Sequence, residues 1–571
     1  MIDARALPTD QVIQTEVCII GSGPAGLTLA HEFAGRNFRV CLLESGGLEL
    51  PDPGTASLSE VETMGDFKQV RPDTRNRRFG GNSSYWGIRL DEELPGTKHR
   101  PFNQEQLGLR HRPLDEVDFE QREWLPYSGW AFDRSHLLPY YKRAHQVLKM
   151  SDFAYEPEDW EDAQTKRLPM VGDRVRTSMF RFSKARTFFE DYRKEIDHAH
   201  NITTYLHANA VELETDETAQ TVQRVRVACL TGNQFWVNAK IVIMAAGAVE
   251  NTHLLLNSNQ VQTEGLGNGF DLVGRFFMDH PLILGGTFTP SKPQLFNETA
   301  LYDLRRVNDT PVMGALSLTD AAIRREQVLN FTTWLFPRPN RLRPAAAMNF
   351  LKNQMLPSFK QGSKQAPSFD CSVGTAVGAI AGFIYDKVTC KPQPFWSNLS
   401  VGGWSHLQPN REKAYGVFEV LHMTEQAPHW DNRVTLSCNL DKLGRRQVQM
   451  QTHWHEEDIH RFKRGQQIIA DELARAGLGR YVFNRDENDM PRVDSGGAAH
   501  HIGTTRMHVD PKEGVVDANC RVHGISNLYI ASSSVFPTGG YANPTLTIVA
   551  LSIRIADQVK AQMSETLKLE A

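Results

Sequence analysis

Three glycines near the N-terminus have the spacing of a ligand-binding turn. Gly21, Gly23 and Gly26 follow the pattern G-x-G-x-x-G, and the acidic residue Glu44 lies 18 positions beyond the last of them. The first glycine permits a tight turn, the second lets the backbone approach a pyrophosphate, and the third allows a helix to pack closely on a strand. A carboxylate at the position of Glu44 accepts hydrogen bonds from a ribose. The spacing predicts a dinucleotide site with a free ribose 2′-hydroxyl, and it does not separate FAD from NAD.

The elements around these glycines strengthen the prediction, because the same spacing without them is a weak signal. The β-branched run at 16–20 predicts a strand, residues 24–33 an amphipathic helix, and residues 39–44 a second strand. This order forms a parallel βαβ unit, which presents the N-terminus of its helix to an anion. A purely structural glycine-rich turn is the alternative interpretation.

Two later segments have the pattern of parallel strands that return to the same sheet. Residues 236–244 lead into a helix, and residues 527–531 lead through a turn into a final helix that begins at Pro544. Proline suits the first helical position, because its missing N–H has no partner there in any case. The dinucleotide domain is therefore predicted to be discontinuous.

The predicted fold class is α/β, with a Rossmann-type dinucleotide domain and a discontinuous α+β domain for the substrate. Aromatic and arginine-rich residues, and then alternating strands, occupy the stretches between the parallel strands. We assign residues 1–90, 195–282 and 490–571 to the first domain, and 91–194 and 283–489 to the second. An insertion near 337–385 mixes prolines, lysines and one apolar helix, which is typical of a cap or contact surface.

Composition excludes several classes of protein. The chain has 571 residues, of which 40% are hydrophobic and 23% charged, and a formal net charge of −4; this argues against a disordered chain and against nucleic acid as a partner. Seven scattered cysteines favour a reducing, cytoplasmic location. No secretory signal or membrane span is expected. His453 and His455 would share one face of a strand but lack a third ligand, so no metal site is predicted.

Five segments together resemble the glucose–methanol–choline (GMC) family of oxidoreductases. In chain order they are residues 15–47, 79–87, 242–256, 274–281 and 500–556. Within the family, residues 500–507 and 539–545 are similar to the branch of pyranose oxidase and glycoside 3-oxidase. The resemblance implies the GMC fold, FAD as the cofactor, and oxidation of a carbinol to a carbonyl.

The resemblance also implies two catalytic residues. Oxidation of a carbinol by hydride transfer needs a base for the hydroxyl proton, and a neutral imidazole serves because its usual pKa of about 6.5 is near the working pH. His500 matches the base position of the family, and His501 is the local alternative. Asn543 matches the second catalytic position, which holds His or Asn, and it is also placed to cap the last helix.

A set of cofactor-binding residues follows from the same resemblance. Tyr85 stands where pyranose oxidase has a histidine bonded to the flavin, so we predict that FAD is bound without a covalent bond. The arginines at 71, 75, 77 and 78 either screen the pyrophosphate or form a solvated face. The predicted cofactor-binding residues are Gly21, Gly23, Gly26, Glu44, Gly80, Gly81, Asn82, Ser83, Trp86, Val211, Ala246, Gly247, Ser533, Pro544 and Thr545.

The predicted function is FAD-dependent oxidation of a secondary hydroxyl of a pyranose or glycoside to a keto-sugar. Two alternatives stay open: oxidation of a non-sugar alcohol by the same chemistry, and a non-redox, lyase-like flavoprotein. An assembly or binding subunit without catalytic activity is disfavoured, because both His500 and Asn543 are present. The expected partners are a small-molecule substrate and oxygen or another electron acceptor. The sequence leaves open the exact substrate and carbon, the acceptor, and whether the chain forms a homo-oligomer or joins an accessory subunit.

Overall fold

The computed structural model describes residues 1–66, 74–91, 104–163, 165–339, 395–408, 410–493 and 497–570, with single positions at 348, 377, 380 and 381. The insertion that the sequence predicts near 337–385 therefore lies outside the described residues, apart from its first three positions and those single ones. In the described part, no helix is long and apolar enough to cross a membrane.

Strands and α-helices form most of the regular structure of the described chain, together with short 3₁₀ and π turns. The strands are β1 (Ile2–Asp3), β2 (Gln11–Ile20), β3 (Val40–Leu43), β4 (Val61–Gly65), β5 (Ile88–Asp91), β6 (Gln104–His111), β7 (Val175–Lys184), β8 (Ile202–Leu206), β9 (Asn209–Thr215), β10 (Val222–Ala228), β11 (Gln234–Met244), β12 (Leu282–Pro290), β13 (Arg305–Val307), β14 (Thr310–Leu318), β15 (Phe331–Pro339), β16 (Val401–Gly402), β17 (Tyr415–Thr424), β18 (Arg433–Leu440), β19 (Arg446–Thr452), β20 (Gly479–Phe483) and β21 (Leu528–Ile530). The α-helices are α1 (Pro24–Phe33), α2 (Pro53–Ser57), α3 (Glu116–Phe119), α4 (Arg134–Val147), α5 (Tyr192–His198), α6 (Ala248–Asn257), α7 (Leu295–Glu298), α8 (Asp320–Glu326), α9 (Trp404–Leu407), α10 (Arg411–Ala414), α11 (Glu456–Arg475) and α12 (Thr545–Glu570).

The first sheet has the strand order β1-β8-β3-β2-β11-β10-β9, and β21 pairs with the second half of β11. Its central strands β8, β3, β2 and β11 are parallel, as the βαβ pattern predicts. Residues 17–20 and 40–43 are buried throughout, because helices cover both faces of such a sheet and its strands become continuous apolar runs. The predicted α/β, Rossmann-type fold is confirmed.

The turn between β2 and α1 depends on glycine at two positions. Gly21 has a φ of +105°, a backbone conformation that other residues rarely adopt. A Cβ on Gly26 would lie 1.9 Å from the carbonyl oxygen of Gly21, so α1 approaches the turn as closely as a backbone can. Helix α1 therefore begins directly beyond the carboxyl end of β2.

The second sheet has the order β16-β5-β6-β7-β14-β15-β17-β12-β20 and is antiparallel except for β16 with β5. One apolar cluster includes Phe182 of β7, Trp334 of β15 and Tyr541, with Ala498 packed against it. Tyr541 and Ala498 belong to the two loops that carry Asn543 and His500. This cluster therefore lies next to both predicted catalytic residues.

Several details differ from the sequence-based expectations. Helix α12 begins at Thr545, one residue after the predicted start, and continues to Glu570. Strand β19 ends at Thr452 and His455 precedes α11, so the predicted strand face shared by His453 and His455 is wrong. Within the described chain, no group of three or more His, Cys, Asp or Glu could hold a metal ion. The boundaries of the two domains stay a prediction.

Candidate active site

A cavity of about 480 Å³ lies beyond the carboxyl ends of β2, β3 and β11. This edge is where open α/β sheets bind their ligands. Residues from many separate stretches of the sequence line the cavity, from the glycine-rich turn to the start of α12. The predicted site residues in its wall are Gly21, Gly23, Glu44, Gly81, Asn82, Trp86, Ala246, Gly247, His500, Ser533, Pro544 and Thr545.

The other predicted site residues lie behind this wall. Gly26 packs on the turn, Ser83 donates a hydrogen bond to the carbonyl oxygen of Gly80 at 2.5 Å, and the amide of Gly80 donates to the carbonyl of Ser22. Val211 is buried in β9, where its neighbour Ala210 reaches the wall instead. Asn543 is not part of the cavity wall, but its side chain contacts His500, which is. The cofactor-binding roles of all these residues stay predictions.

Glu44 is fixed at the end of β3 by hydrogen bonds from the turn. Its Oε2 accepts from the backbone N–H of Ser22 at 3.1 Å and from the hydroxyl of Ser22 at 2.6 Å. Its Oε1 accepts from the backbone N–H of Gly46 at 2.8 Å. The carboxylate therefore lines the cavity in a fixed orientation, as a ribose-binding acid must.

The space in front of α1 fits a dinucleotide such as FAD. A Cβ on Gly23 would meet no atom within 4 Å, so the backbone at this position is open to a ligand. A Cβ on Gly81 would lie 3.3 Å from the Cα of Gly23, which brings the loop that ends at Trp86 against the glycine-rich turn. The free N–H groups at the start of α1 favour an anion here.

Arginines line the same cavity together with a carboxylate. Arg75 forms an ion pair with Glu250 at 2.6 Å, and Arg77 and Arg445 also lie in the wall. Burial opposes ionisation of Glu250, but Arg75 and Arg77 outweigh it and lower the pKa of Glu250 to about 2. Arg75 and Arg78 are buried, so a solvated face is the wrong interpretation for these two. The positive charge of the wall suits an anionic ligand.

His500 lies between two side chains that contact its two ring nitrogens. Its Nε2 is 3.1 Å from Nδ2 of Asn543, and its Nδ1 is 2.8 Å from Nδ1 of His280. Burial lowers the pKa of His500 well below its usual value, and the neighbouring His280 and Arg110 lower it further. The imidazole is therefore neutral at neutral pH and able to accept a proton.

Asn543 does not cap the last helix. The carbonyl of Pro544 accepts the first α-helical hydrogen bond, from the N–H of Ile548, and Oδ1 of Asn543 has no hydrogen-bond partner among the described residues. The capping alternative is therefore wrong, and the side chain of Asn543 is available to a ligand beside His500.

The two candidate histidines differ in their contacts. His501 also lines the cavity, but its ring lies against Phe277 and its carbonyl oxygen accepts a hydrogen bond from Ser533 at 2.7 Å. The ring of His500, in contrast, contacts the side chain of Asn543. This arrangement favours His500 over His501 as the base.

Asp279 and His280 are site residues that residue-by-residue reasoning missed. Oδ1 of Asp279 accepts from the backbone N–H of His280 at 2.7 Å and from that of His500 at 2.8 Å. Burial raises the pKa of Asp279 to about 6. Both residues lie in the segment 274–281, whose sequence resembles the GMC family without indicating a role for either residue. No local pattern signals a contact across 220 positions.

Two segments of the chain match known protein families. Residues 428–552 match the family model described as GMC oxidoreductase, and residues 14–154 match the one described as FAD binding domain. The chain is 24% identical over 605 residues to 6'''-hydroxyparomomycin C oxidase of Streptomyces lividus, covering 96% of this chain and 92% of that protein. It is 22% identical over 619 residues to 2-methyl-1,2-propanediol dehydrogenase of Mycolicibacterium austroafricanum, covering 98% and 97%. A shorter match, 32% identical over 139 residues and 24% of each chain, is to paromamine 6'-oxidase of Streptomyces fradiae. The chain is therefore an oxidoreductase with an FAD-binding domain, and its residues 428–552 match the GMC family.

Proposed function

We propose that the protein oxidises a secondary hydroxyl of a pyranose or glycoside to a keto-sugar, with His500 as the base. The observation that carries this proposal is the contact of 3.1 Å between Nε2 of His500 and Nδ2 of Asn543, beside a cavity that fits FAD. Relatives named for paromomycin and paromamine support a sugar-like substrate. The resemblance to the pyranose oxidase branch supports a ring hydroxyl.

The glycine-rich turn, Glu44 and the loop that ends at Trp86 would hold the cofactor. When bound, FAD supplies the acceptor for the hydride that leaves the carbinol carbon. The protein itself provides proton transfer and orientation. Electrons must then pass to oxygen or another acceptor, whose identity stays a prediction.

A cytoplasmic location also stays a prediction; it is supported by the free state of the five described cysteines.

A hydroxyl group both donates and accepts hydrogen bonds, and the pair of His500 and Asn543 provides a partner for each role. A substrate hydroxyl placed between the two side chains donates its proton to Nε2 of His500 and accepts a hydrogen bond from Nδ2 of Asn543. Before that hydroxyl enters, Nδ2 of Asn543 donates its hydrogen bond directly to Nε2 of His500. Because His500 is neutral, it takes the proton as the hydride departs.

His280 and Asp279 orient the base. To keep Nε2 free for the substrate proton, His500 must carry its own hydrogen on Nδ1, where it donates to Nδ1 of His280. Asp279 holds the backbone of both histidines and so keeps the two side chains beside each other. We propose His280 as a positioning residue that selects the productive tautomer.

Oxidation of a non-sugar alcohol is the second candidate function. It is favoured by the match to 2-methyl-1,2-propanediol dehydrogenase, which covers 98% of this chain. The same base and the same amide would act on such a diol, so the two functions differ in the groups that surround the reacting hydroxyl. The non-redox alternative differs from both, because no alcohol would then reduce the flavin.

One experiment separates these functions: anaerobic mixing of the flavin-loaded protein with free sugars, methyl glycosides, small diols and simple alcohols. We expect a pyranose or glycoside to bleach the flavin absorbance fastest. A simple alcohol leaves polar groups of a sugar site unpaired, at a cost of about 1–3 kcal/mol each. Bleaching by diols alone would establish the second candidate, and no bleaching by any alcohol would favour a non-redox flavoprotein.

We predict that His500→Ala retains FAD but lowers the rate of flavin reduction by about 10²–10⁴-fold, the contribution of a general base. Stopped-flow absorbance under anaerobic conditions measures this rate. His501→Ala is the matched control, a neighbouring half-buried histidine in the same cavity wall that lacks the contact to Asn543. A slow His501→Ala variant beside a native-like His500→Ala variant would reverse the assignment.

Replacing His280 by Phe should slow flavin reduction by about 10²-fold, because the ring of His500 loses its orientation. The variant also removes a neighbour that lowers the pKa of His500, so the acid limb of the rate profile should move to higher pH. His422→Phe is the control, since that buried histidine bonds to Thr333 and Tyr481 instead. An unchanged acid limb in His280→Phe would contradict a positioning role.

We predict that denaturation releases the flavin into solution. Tyr85 lines the cavity at the tether position, with 47% of its surface exposed and its ring 5.4 Å from the guanidinium of Arg78. A phenol does not form the imidazole linkage of the pyranose oxidase branch. Precipitation with acid, followed by absorbance of the pellet and the supernatant, measures the outcome, and yellow colour in the pellet would refute the prediction.

A further inference from the structure

We infer that Arg445 binds the adenine of FAD by lying flat against the base. Arg445 belongs to the turn between β18 and β19, in a stretch that the sequence assigns to the second domain. A residue of that stretch would then hold the cofactor of the first domain. The inference concerns the cofactor, so it goes beyond the proposed function and is the same for both candidate substrates.

The adenosine end of the cavity is marked by Glu44. Its carboxylate is the predicted partner of the ribose, and its backbone carbonyl accepts a hydrogen bond from the N–H of Ala208 at 2.8 Å. Ala208, Asn209 and Ala210 follow one another in the cavity wall at this place. Alanine at two of these three positions leaves room for a flat group. We therefore expect the base of a ribose held by Glu44 along this strip.

Arg445 reaches the same strip and also lines the cavity. Its Nη1 donates to the carbonyl oxygen of Ala210 at 3.3 Å, and its Nε donates to Oδ2 of Asp441 at 3.0 Å. Hydrogen bonds of a guanidinium lie in its plane, so these two partners hold its edges and leave its faces to a flat ligand. A guanidinium face stacks well on a nucleic acid base.

The turn that carries Arg445 is fixed against α6 by the next residue. The carbonyl oxygen of Arg446 accepts a hydrogen bond from Nε2 of His253 at 2.7 Å, and its N–H donates to Oδ1 of Asn257 at 3.1 Å. Residues of the hairpin and of α6 also share one buried apolar cluster. Arg445 is therefore held in place by the fold itself, which reduces the entropy that cofactor binding must cost.

The charge of Arg445 is already balanced, which favours the base over the pyrophosphate as its partner. Asp441 forms an ion pair with it at 2.9 Å, and both side chains are buried. A paired guanidinium gains little from a second anion, whereas stacking uses its face and needs no counter-charge. The pyrophosphate is expected instead at the N-terminus of α1.

The test measures binding of FAD, ADP and FMN to the full-length chain after removal of its flavin. ADP has the adenosine without the flavin, and FMN has the flavin without the adenosine. Calorimetric titration gives the three dissociation constants. We expect Arg445→Ala to weaken binding of FAD and of ADP by about tenfold, the usual loss for one stacking partner of a base, and to leave FMN binding unchanged.

Arg446→Ala is the matched control in the same turn. The side chain of Arg446 is exposed, and its Nε donates to the carbonyl of Ser437 within the hairpin. Loss of this guanidinium should leave the dissociation constants of FAD and ADP as in the native protein. Equal weakening of ADP binding by Arg446→Ala and Arg445→Ala would overturn the inference.

Arg445→Lys tests the kind of contact, because it keeps the positive charge and loses the planar face. We expect it to weaken ADP binding about as much as Arg445→Ala does. Native affinity for ADP in Arg445→Lys would indicate a charge contact with the pyrophosphate and would overturn stacking on the adenine.

These binding measurements are independent of flavin reduction, so failure of this inference differs from failure of the proposed function. Unchanged affinity for ADP in Arg445→Ala would overturn the inference, whichever alcohol bleaches the flavin. Hydrogen exchange of the native protein decides if the Arg445 variants do not fold. ADP should then slow exchange of the amides at 441–446, while FMN should not, and equal exchange with and without ADP would overturn the inference.

Discussion

Partial burial of the His500 imidazole, at the wall of the cavity, is the constraint on which the candidate site depends. Burial keeps its pKa well below the usual value, so the ring is a neutral base at neutral pH. A ring that is largely removed from water needs hydrogen-bonding partners for its nitrogens, and Asn543 and His280 supply them. The carboxylate of Asp279 then accepts from the backbone of both histidines, which makes their relative orientation a property of the fold.

The architecture brings these groups to the one edge of the first sheet where a dinucleotide fits. The glycine-rich turn follows β2, Glu44 follows β3, and Ala246 and Gly247 follow β11, because carboxyl ends of parallel strands meet at a common edge. The loop before α12 carries Asn543 to the same place. The second sheet closes the site from the opposite side with Tyr541 and Trp334 in one apolar cluster.

Arginines in and around the cavity have two kinds of hydrogen-bond partner, a carboxylate in one place and a backbone carbonyl in another. Near the dinucleotide end, Arg75 and Glu250 form a buried ion pair, which lets both groups stay charged away from water. Near His500, Arg110 lies in the apolar surroundings of Trp334 with a backbone carbonyl as its hydrogen-bond partner. The first arrangement pairs two opposite charges, and the second leaves the guanidinium with a backbone carbonyl.

The sequence by itself determined the Rossmann-type fold and the glycine-rich turn, because G-x-G-x-x-G between a β-branched run and a helix is a local pattern with a local cause. It also supplied the candidates His500 and Asn543 through a resemblance of short blocks. Local patterns do not encode contacts between distant segments. Tertiary structure therefore decided that Asn543 faces His500 instead of capping α12, that His280 lies against Nδ1 of the base, and that Arg110 is buried without an acidic partner. Each of these depends on which groups the folded chain removes from water together, and that is a property of packing across hundreds of residues.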